Sequence, residues 1–203
     1  MREKTKGKKT LLMSVLMSAP GPLIIGLGLM AGRSATQMAD FVRRSAELLA
    51  IIVSFAVYCK TEKFTEEENE KKEAIQRQSN RFVGSMMCLG GLLMMLTTFL
   101  ASGEEKGNVI TGLVIALLGV IANTIFWFRY AKLSGESNNA ILAVQARLYR
   151  AKSLVDICVT TALTSVYFFP EAAFSYYLDL IGSLVVEIYL IYCGIKTMRE
   201  AGK

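Results

Sequence analysis

The stretch NAILAVQARLYRAKSLVDICVTTALT, residues 139–164, is long enough to cross a bilayer as a helix, yet Arg147, Arg150, Lys152 and Asp156 stand inside it. Each charge costs roughly 2.5–3.5 kcal/mol at a helix centre in hydrocarbon. These groups must therefore face protein or water, and an intramembrane charge marks a functional site. A second such cluster, ADFVRRSAE, runs from Ala39 to Glu47 inside another apolar stretch.

Outward from these clusters, the chain of 203 residues is 53% hydrophobic, with a mean hydropathy of +0.40. An ordinary soluble domain is about 45–50% apolar even when Gly is counted. The class is an all-α integral membrane protein. Mainly apolar runs of about twenty residues predict six helices near 11–31, 38–58, 82–101, 109–130, 139–164 and 178–195. Together they make 1–203 a single transmembrane domain, a six-helix bundle with no cytoplasmic domain expected after the sixth helix.

The net charge of +6 follows topology rather than a nucleic-acid surface. Basic residues cluster before helix 1 (Arg2, Lys4, Lys6, Lys8, Lys9), between Lys60 and Arg81, after helix 4 (Arg129, Lys132) and after helix 6 (Lys196, Arg199, Lys203). The alternate loops hold only Arg33 and Lys106. The positive-inside rule then predicts both termini in the cytoplasm and a multi-pass protein of the cell membrane. The first apolar stretch is too long for a signal peptide and lacks a convincing cleavage site before Arg33, so it reads as a retained helix.

Pro20 and Pro22 around Gly21 predict a kink near the middle of helix 1, and Gly28 with Gly32 forms a GxxxG match. The polar segment 61–80 offers i,i+4 pairs Glu67–Lys71, Glu68–Lys72 and Glu73–Arg77, so solvated extensions of helices 2 and 3 are expected there. Loops SGEEKGN and FFPEAAFSYY are short, the latter part of an interfacial aromatic belt. Cys59, Cys88, Cys158 and Cys193 lack a CxxC spacing or a His partner and read as small packing residues.

On helix 5, Gln145, Tyr149, Lys152 and Asp156 are spaced four, three and four, which lines them along one helical face. Asp40, Arg43 and Glu47 make a similar stripe on helix 2, with Ser54 further along it. Arg43 with Glu47, and Lys152 with Asp156, are i,i+4 pairs of opposite sign.

The order of these features resembles the transmembrane domain of the cation diffusion facilitator family. The resemblance is carried by SATQMADFVRRSAELLA on helix 2, IANTIFW on helix 4, NNAILAVQARL on helix 5 and YLDLIGSLVVEIYLIYCGIK on helix 6, and covers about residues 10–200. It implies a homodimeric, proton-coupled exporter of divalent metals. The family's metal site uses ligand pairs four residues apart on helices 2 and 5, which fall here on Arg43 with Glu47 and on Leu148 with Lys152. Only Glu47 of these could ligate a metal.

Zinc takes four N, S or O ligands in a tetrahedron, and the chain has no histidine. A cationic side chain 4 Å from a divalent ion costs about 8 kcal/mol at an effective dielectric near 20. Tight zinc binding at the inherited positions is not expected. Two readings follow. Asp40, Glu47, Asp156, Asp179 and Glu187 could form a displaced oxygen-rich site suited to Mn²⁺, Mg²⁺ or Ca²⁺, with Glu47 and Asp156 the metal-ligand candidates. Alternatively, Arg43 and Lys152 replace the metal's charge and lock helices 2 and 5 together through Glu47 and Asp156. Asp179 could instead only cap helix 6.

The transport-site candidates are thus Asp40, Arg43, Glu47, Gln145, Tyr149, Lys152, Asp156 and Asp179. The function expected is cation efflux coupled to protons; the alternative is a transport-inactive relative serving as a membrane scaffold or regulatory partner. No cofactor is expected. Without His there is no nucleophile–His pair, and no Gly-rich phosphate loop is present, so an enzyme is not expected.

Overall fold

The computed structural model describes residues 2–31, 35–100, 109–168 and 173–202, which form seven α-helices and one 3-10 turn with no strand among them. The first predicted span is divided into α1 (Arg2–Ser18) and α2 (Pro20–Ala31). The expected kink is therefore a full break at Ala19. Pro20 cannot donate a backbone hydrogen bond, and its ring pushes the preceding residue out of the helical region; the last bond before it runs from Ala19 N to Val15 O at 2.9 Å. Gly32 of the GxxxG match lies outside the described residues.

Helix α3 (Ala35–Thr61) is followed by the 3-10 turn Glu66–Glu68 and by α4 (Asn69–Leu100). The polar segment thus extends α4 and not α3. Of the three expected ion pairs, Glu73–Arg77 forms at 3.1 Å. The other two fail for a geometric reason: Glu67 and Glu68 sit in the 3-10 turn, ahead of the helix that carries Lys71 and Lys72. At 32 residues, α4 is about 48 Å long at 1.5 Å per residue, more than a hydrocarbon core requires.

Helices α5 (Val109–Ser137) and α6 (Ala140–Phe168) form a hairpin whose turn is written in two asparagines. Asn138 takes a left-handed φ of 46° and stops α5. Asn139 caps α6, its Oδ1 accepting the N–H groups of Ile141 at 3.0 Å and Leu142 at 3.3 Å. Helix α7 spans Ala173–Glu200. These helices overrun the predicted apolar stretches, since backbone bonding continues past the hydrocarbon boundary until a cap stops it. The loop SGEEKGN and residues 169–172 of FFPEAAFSYY lie outside the described residues, while Tyr167, Phe168 and Tyr177 are exposed.

The α5–α6 and α4–α7 pairs pack most extensively, α3 lies on α4, α6 on α7, and α1 bridges α3 and α5. Phe126, Tyr130 and Tyr149 gather at the α5–α6 face, with Phe126 and Tyr149 ring centroids 5.1 Å apart. Glycines set the α4–α7 contact: a Cβ on Gly194 would lie 2.6 Å from the Gly84 carbonyl oxygen, and one on Gly91 would lie 3.0 Å from that of Glu187. Backbone meets backbone there, as small residues permit between membrane helices. Gly194→Leu is therefore expected to separate α4 from α7 and destabilise the protein by at least about 1–3 kcal/mol. A thermal melt in detergent unchanged from wild type would contradict this packing.

The outer faces are apolar at helical spacing, as at Leu92, Leu96 and Phe99 of α4 and Ile181, Val185 and Ile188 of α7. Water would not tolerate so continuous an apolar surface on a monomer. Within the described residues, 69–99 and 180–200 are each long and apolar enough to cross a membrane.

Candidate functional site

Glu47 is the hub of the polar interior. Its Oε1 accepts from Arg43 Nη1 at 3.0 Å on the same helix, and its Oε2 meets Lys152 Nζ of α6 at 3.1 Å. The three side chains are only 14%, 10% and 15% exposed, in the order Arg43, Glu47, Lys152. Lys152 also lies 5.2 Å from the ring centre of Tyr149, a cation–π contact that helps hold the ammonium away from lipid.

The i,i+4 pairing of Lys152 with Asp156 does not form. Asp156 Oδ2 instead accepts from Asn123 Nδ2 of α5 at 2.6 Å. Two causes favour this exchange of partners: the order Lys then acid is the weaker orientation on a helix, and Gly119 leaves room for the carboxylate, since a Cβ there would sit 2.7 Å from Asp156 Oδ2. The reading in which Asp156 takes part in an ion-pair lock between the second and fifth spans is thereby corrected. Among the described residues Glu47 makes that cross-link, and Asp156 is held by an uncharged amide.

Around this pair runs a line of hydroxyls and amides. Gln145 Nε2 donates to Ser54 Oγ of α3 at 2.7 Å, while its buried Oε1 has no partner. Tyr149 OH lies 3.4 Å from Ser18 Oγ, Tyr130 OH lies 2.7 Å from Ser14 Oγ, and Thr124 and Ser153 share a 2.6 Å bond between α5 and α6. Gln145, Tyr149, Lys152 and Asp156 thus share the inner side of α6.

The other charges of the 145–156 stretch leave the site. Arg147 donates to Thr197 and Glu200 at the end of α7, both at 2.7 Å, and Arg150 lies 5.8 Å from the ring centre of Tyr189. Leu148, expected from the resemblance at a ligand position, is 1% exposed and belongs to the apolar core. Asp40 and Asp179 lie on α3 and α7, with side chains outside the described residues.

Sequence reasoning passed over Arg44. Its stem packs beside Gly21, where a Cβ would lie 3.6 Å from Arg44 Cδ. The glycine between two prolines was the available signal, because it makes space where α1 breaks from α2. Asn123 was quoted only as part of a pattern, and its role comes from its distance to Asp156. Among the described residues no three Cys, Asp or Glu side chains come together as a metal site would need.

Seven helices among the described residues, with apolar outer faces and a sparse, ion-paired polar interior, define the class as an α-helical membrane protein. The family model of the cation efflux transmembrane domain matches residues 11–203, and the chain belongs to that family of membrane cation transporters. No curated protein matches it.

Proposed function

We propose that this chain is a proton-coupled cation exporter of the cell membrane in which Lys152 serves as a tethered counter-cation. Its six spans are α1 with α2, α3, α4, α5, α6 and α7, and it works as the homodimer that the family resemblance implies. The observation that carries the proposal is the 3.1 Å contact between Lys152 and Glu47 across the bundle, with Asp156 one helical turn along α6 and bound only to an amide. Lys152 has two acids nearby, Glu47 across the bundle and Asp156 one turn along its own helix, and it holds only Glu47 closely. Movement from Glu47 to Asp156 would open an oxygen ligand to an incoming cation, and the return would expel it. Oxygen ligands favour Mn²⁺, Mg²⁺ or Ca²⁺ over zinc.

The test is flux in proteoliposomes across a panel of divalent and monovalent cations, with and without a pH gradient. A cation that moves in wild type and moves faster with an opposing proton gradient is expected. The second reading, a transport-inactive scaffold or regulatory partner, draws support from the saturation of Glu47 by two cations. Absence of flux for every ion, from folded protein in sealed vesicles, would select it.

The proposed topology places both termini inside, supported by sixteen basic residues on the assigned inner side against two outside. Cysteine introduced at Asn69, in a protein freed of its four native cysteines, should resist an impermeant thiol reagent added to intact cells. Labelling from outside would reverse the assignment.

A further inference from the structure

Glu187 lies at the middle of α7, 1% exposed, on the face that α7 turns to α4. It is remote in the chain from the Arg43–Glu47–Lys152 group and shares no ion pair with it. Its Oε1 accepts the hydroxyl of Thr98 at 2.6 Å, and its Oε2 is buried with no hydrogen-bond partner.

Among the described residues no cation pairs with Glu187. Arg43 of α3 approaches this layer, its stem packing at Gly90 beside Leu190, but its Nη1 is directed to Glu47 at 3.0 Å. Every described charged residue of α4 lies at or before Arg81, more than four helical turns from Thr98. The stretch beside Glu187 is built from Gly91, whose Cβ would meet the Glu187 backbone oxygen, and from Thr98 itself. On α6 all four charges are engaged elsewhere: Arg147 with Glu200 and Thr197, Arg150 over Tyr189, Lys152 with Glu47, and Asp156 with Asn123. The titratable thiols of the same layer are Cys88 of α4, which donates to Ile191 O at 3.6 Å, and Cys158 of α6, which lies beside Gly182. On α7 itself, Tyr189 and Cys193 face the Arg150 side, and the Asp179 side chain is outside the described residues.

An ionised carboxylate in such a place would be a buried charge with one hydroxyl for solvation, which is far costlier than a neutral acid. Burial at membrane depth without a cation selects the protonated form. We infer that Glu187 is an intramembrane proton-binding site, a neutral carboxylic acid whose carbonyl oxygen accepts from Thr98 and whose proton resides on Oε2. It keeps this proton while α4 and α7 are packed together, and it can release the proton only when separation of the two helices admits water. The site supplies a carrier for the coupling proton, and in that respect alone the inference rests on the function proposed above.

Infrared spectroscopy of the full chain in lipid vesicles at neutral pH tests the protonation directly, without any transport assay. The difference spectrum between wild type and Glu187→Gln is expected to contain the carbonyl stretch of a protonated carboxyl group. Glu187→Gln is isosteric with the neutral acid and should fold. Thr98→Val removes the donor to the carbonyl oxygen and should move the band to higher frequency. A difference spectrum with no such band, or with one that Thr98→Val leaves in place, overturns the assignment. That result would leave the flux experiment untouched, so the two readings fail separately.

Discussion

Glu47→Ala is expected to destabilise the protein by roughly 3–5 kcal/mol, the cost of leaving buried charge without its partner. The cause is specific to the hub geometry. Glu47 meets Arg43 on its own helix and Lys152 across the bundle, at 3.0 and 3.1 Å, so its loss takes a carboxylate partner from two cations at once. Lys152→Ala is milder, because Arg43 still answers Glu47. Thermal unfolding in detergent, read for both variants, should rank Glu47→Ala well below Lys152→Ala. Equal losses would mean that the pair contributes as a unit and that Glu47 is not the hub. Glu47→Gln should fall between them, since the amide keeps hydrogen-bonding capacity while it removes the charge.

Lys152→Ala should give the largest change in ion selectivity. Close approach of a divalent ion to the ammonium costs about 8 kcal/mol at 4 Å and an effective dielectric near 20, before any relaxation. Even a small part of this, recovered when the charge is removed, corresponds to at least about tenfold tighter binding, since each 1.4 kcal/mol is a factor of ten. Calorimetry on purified wild type is expected to show no tight zinc binding in the membrane region. The Lys152→Ala variant should bind Mn²⁺ at least about tenfold more tightly than wild type, through Glu47 and Asp156. Loss of that gain in a Lys152→Ala, Asp156→Asn double variant would place the ion between α3 and α6. Tight stoichiometric zinc binding by wild type that disappears with Glu47→Gln would refute the argument. A Lys152→Ala protein with unchanged Mn²⁺ affinity would instead show that Arg43 and Arg44 alone set the barrier.

Much of the architecture was legible in the residues. Apolar run length announced the helices, the Pro20–Gly21–Pro22 cluster announced an interruption, and the spacing of Gln145, Tyr149, Lys152 and Asp156 placed four polar groups on one face. Those are local properties, governed by helical periodicity and by the cost of charge in hydrocarbon, and a single sequence contains them in full. The same holds for Arg43 with Glu47, neighbours one turn apart on one helix. What the sequence could not determine was the choice among partners that are far apart in the chain. Lys152 takes Glu47 over Asp156 because α3 brings the second acid within 3.1 Å, and Asp156 is satisfied by Asn123 at 2.6 Å. Gly194 matters because Gly84 faces it across α4 and α7. Glu187 passes from one carboxylate among several to an acid apart from the ion pairs because, among the described residues, Thr98 is its side-chain hydrogen-bond partner. Pairing energies fall off within a few ångströms, whereas periodicity fixes only the face of a helix, so the tertiary arrangement decided which charges cancel and which acid stands alone.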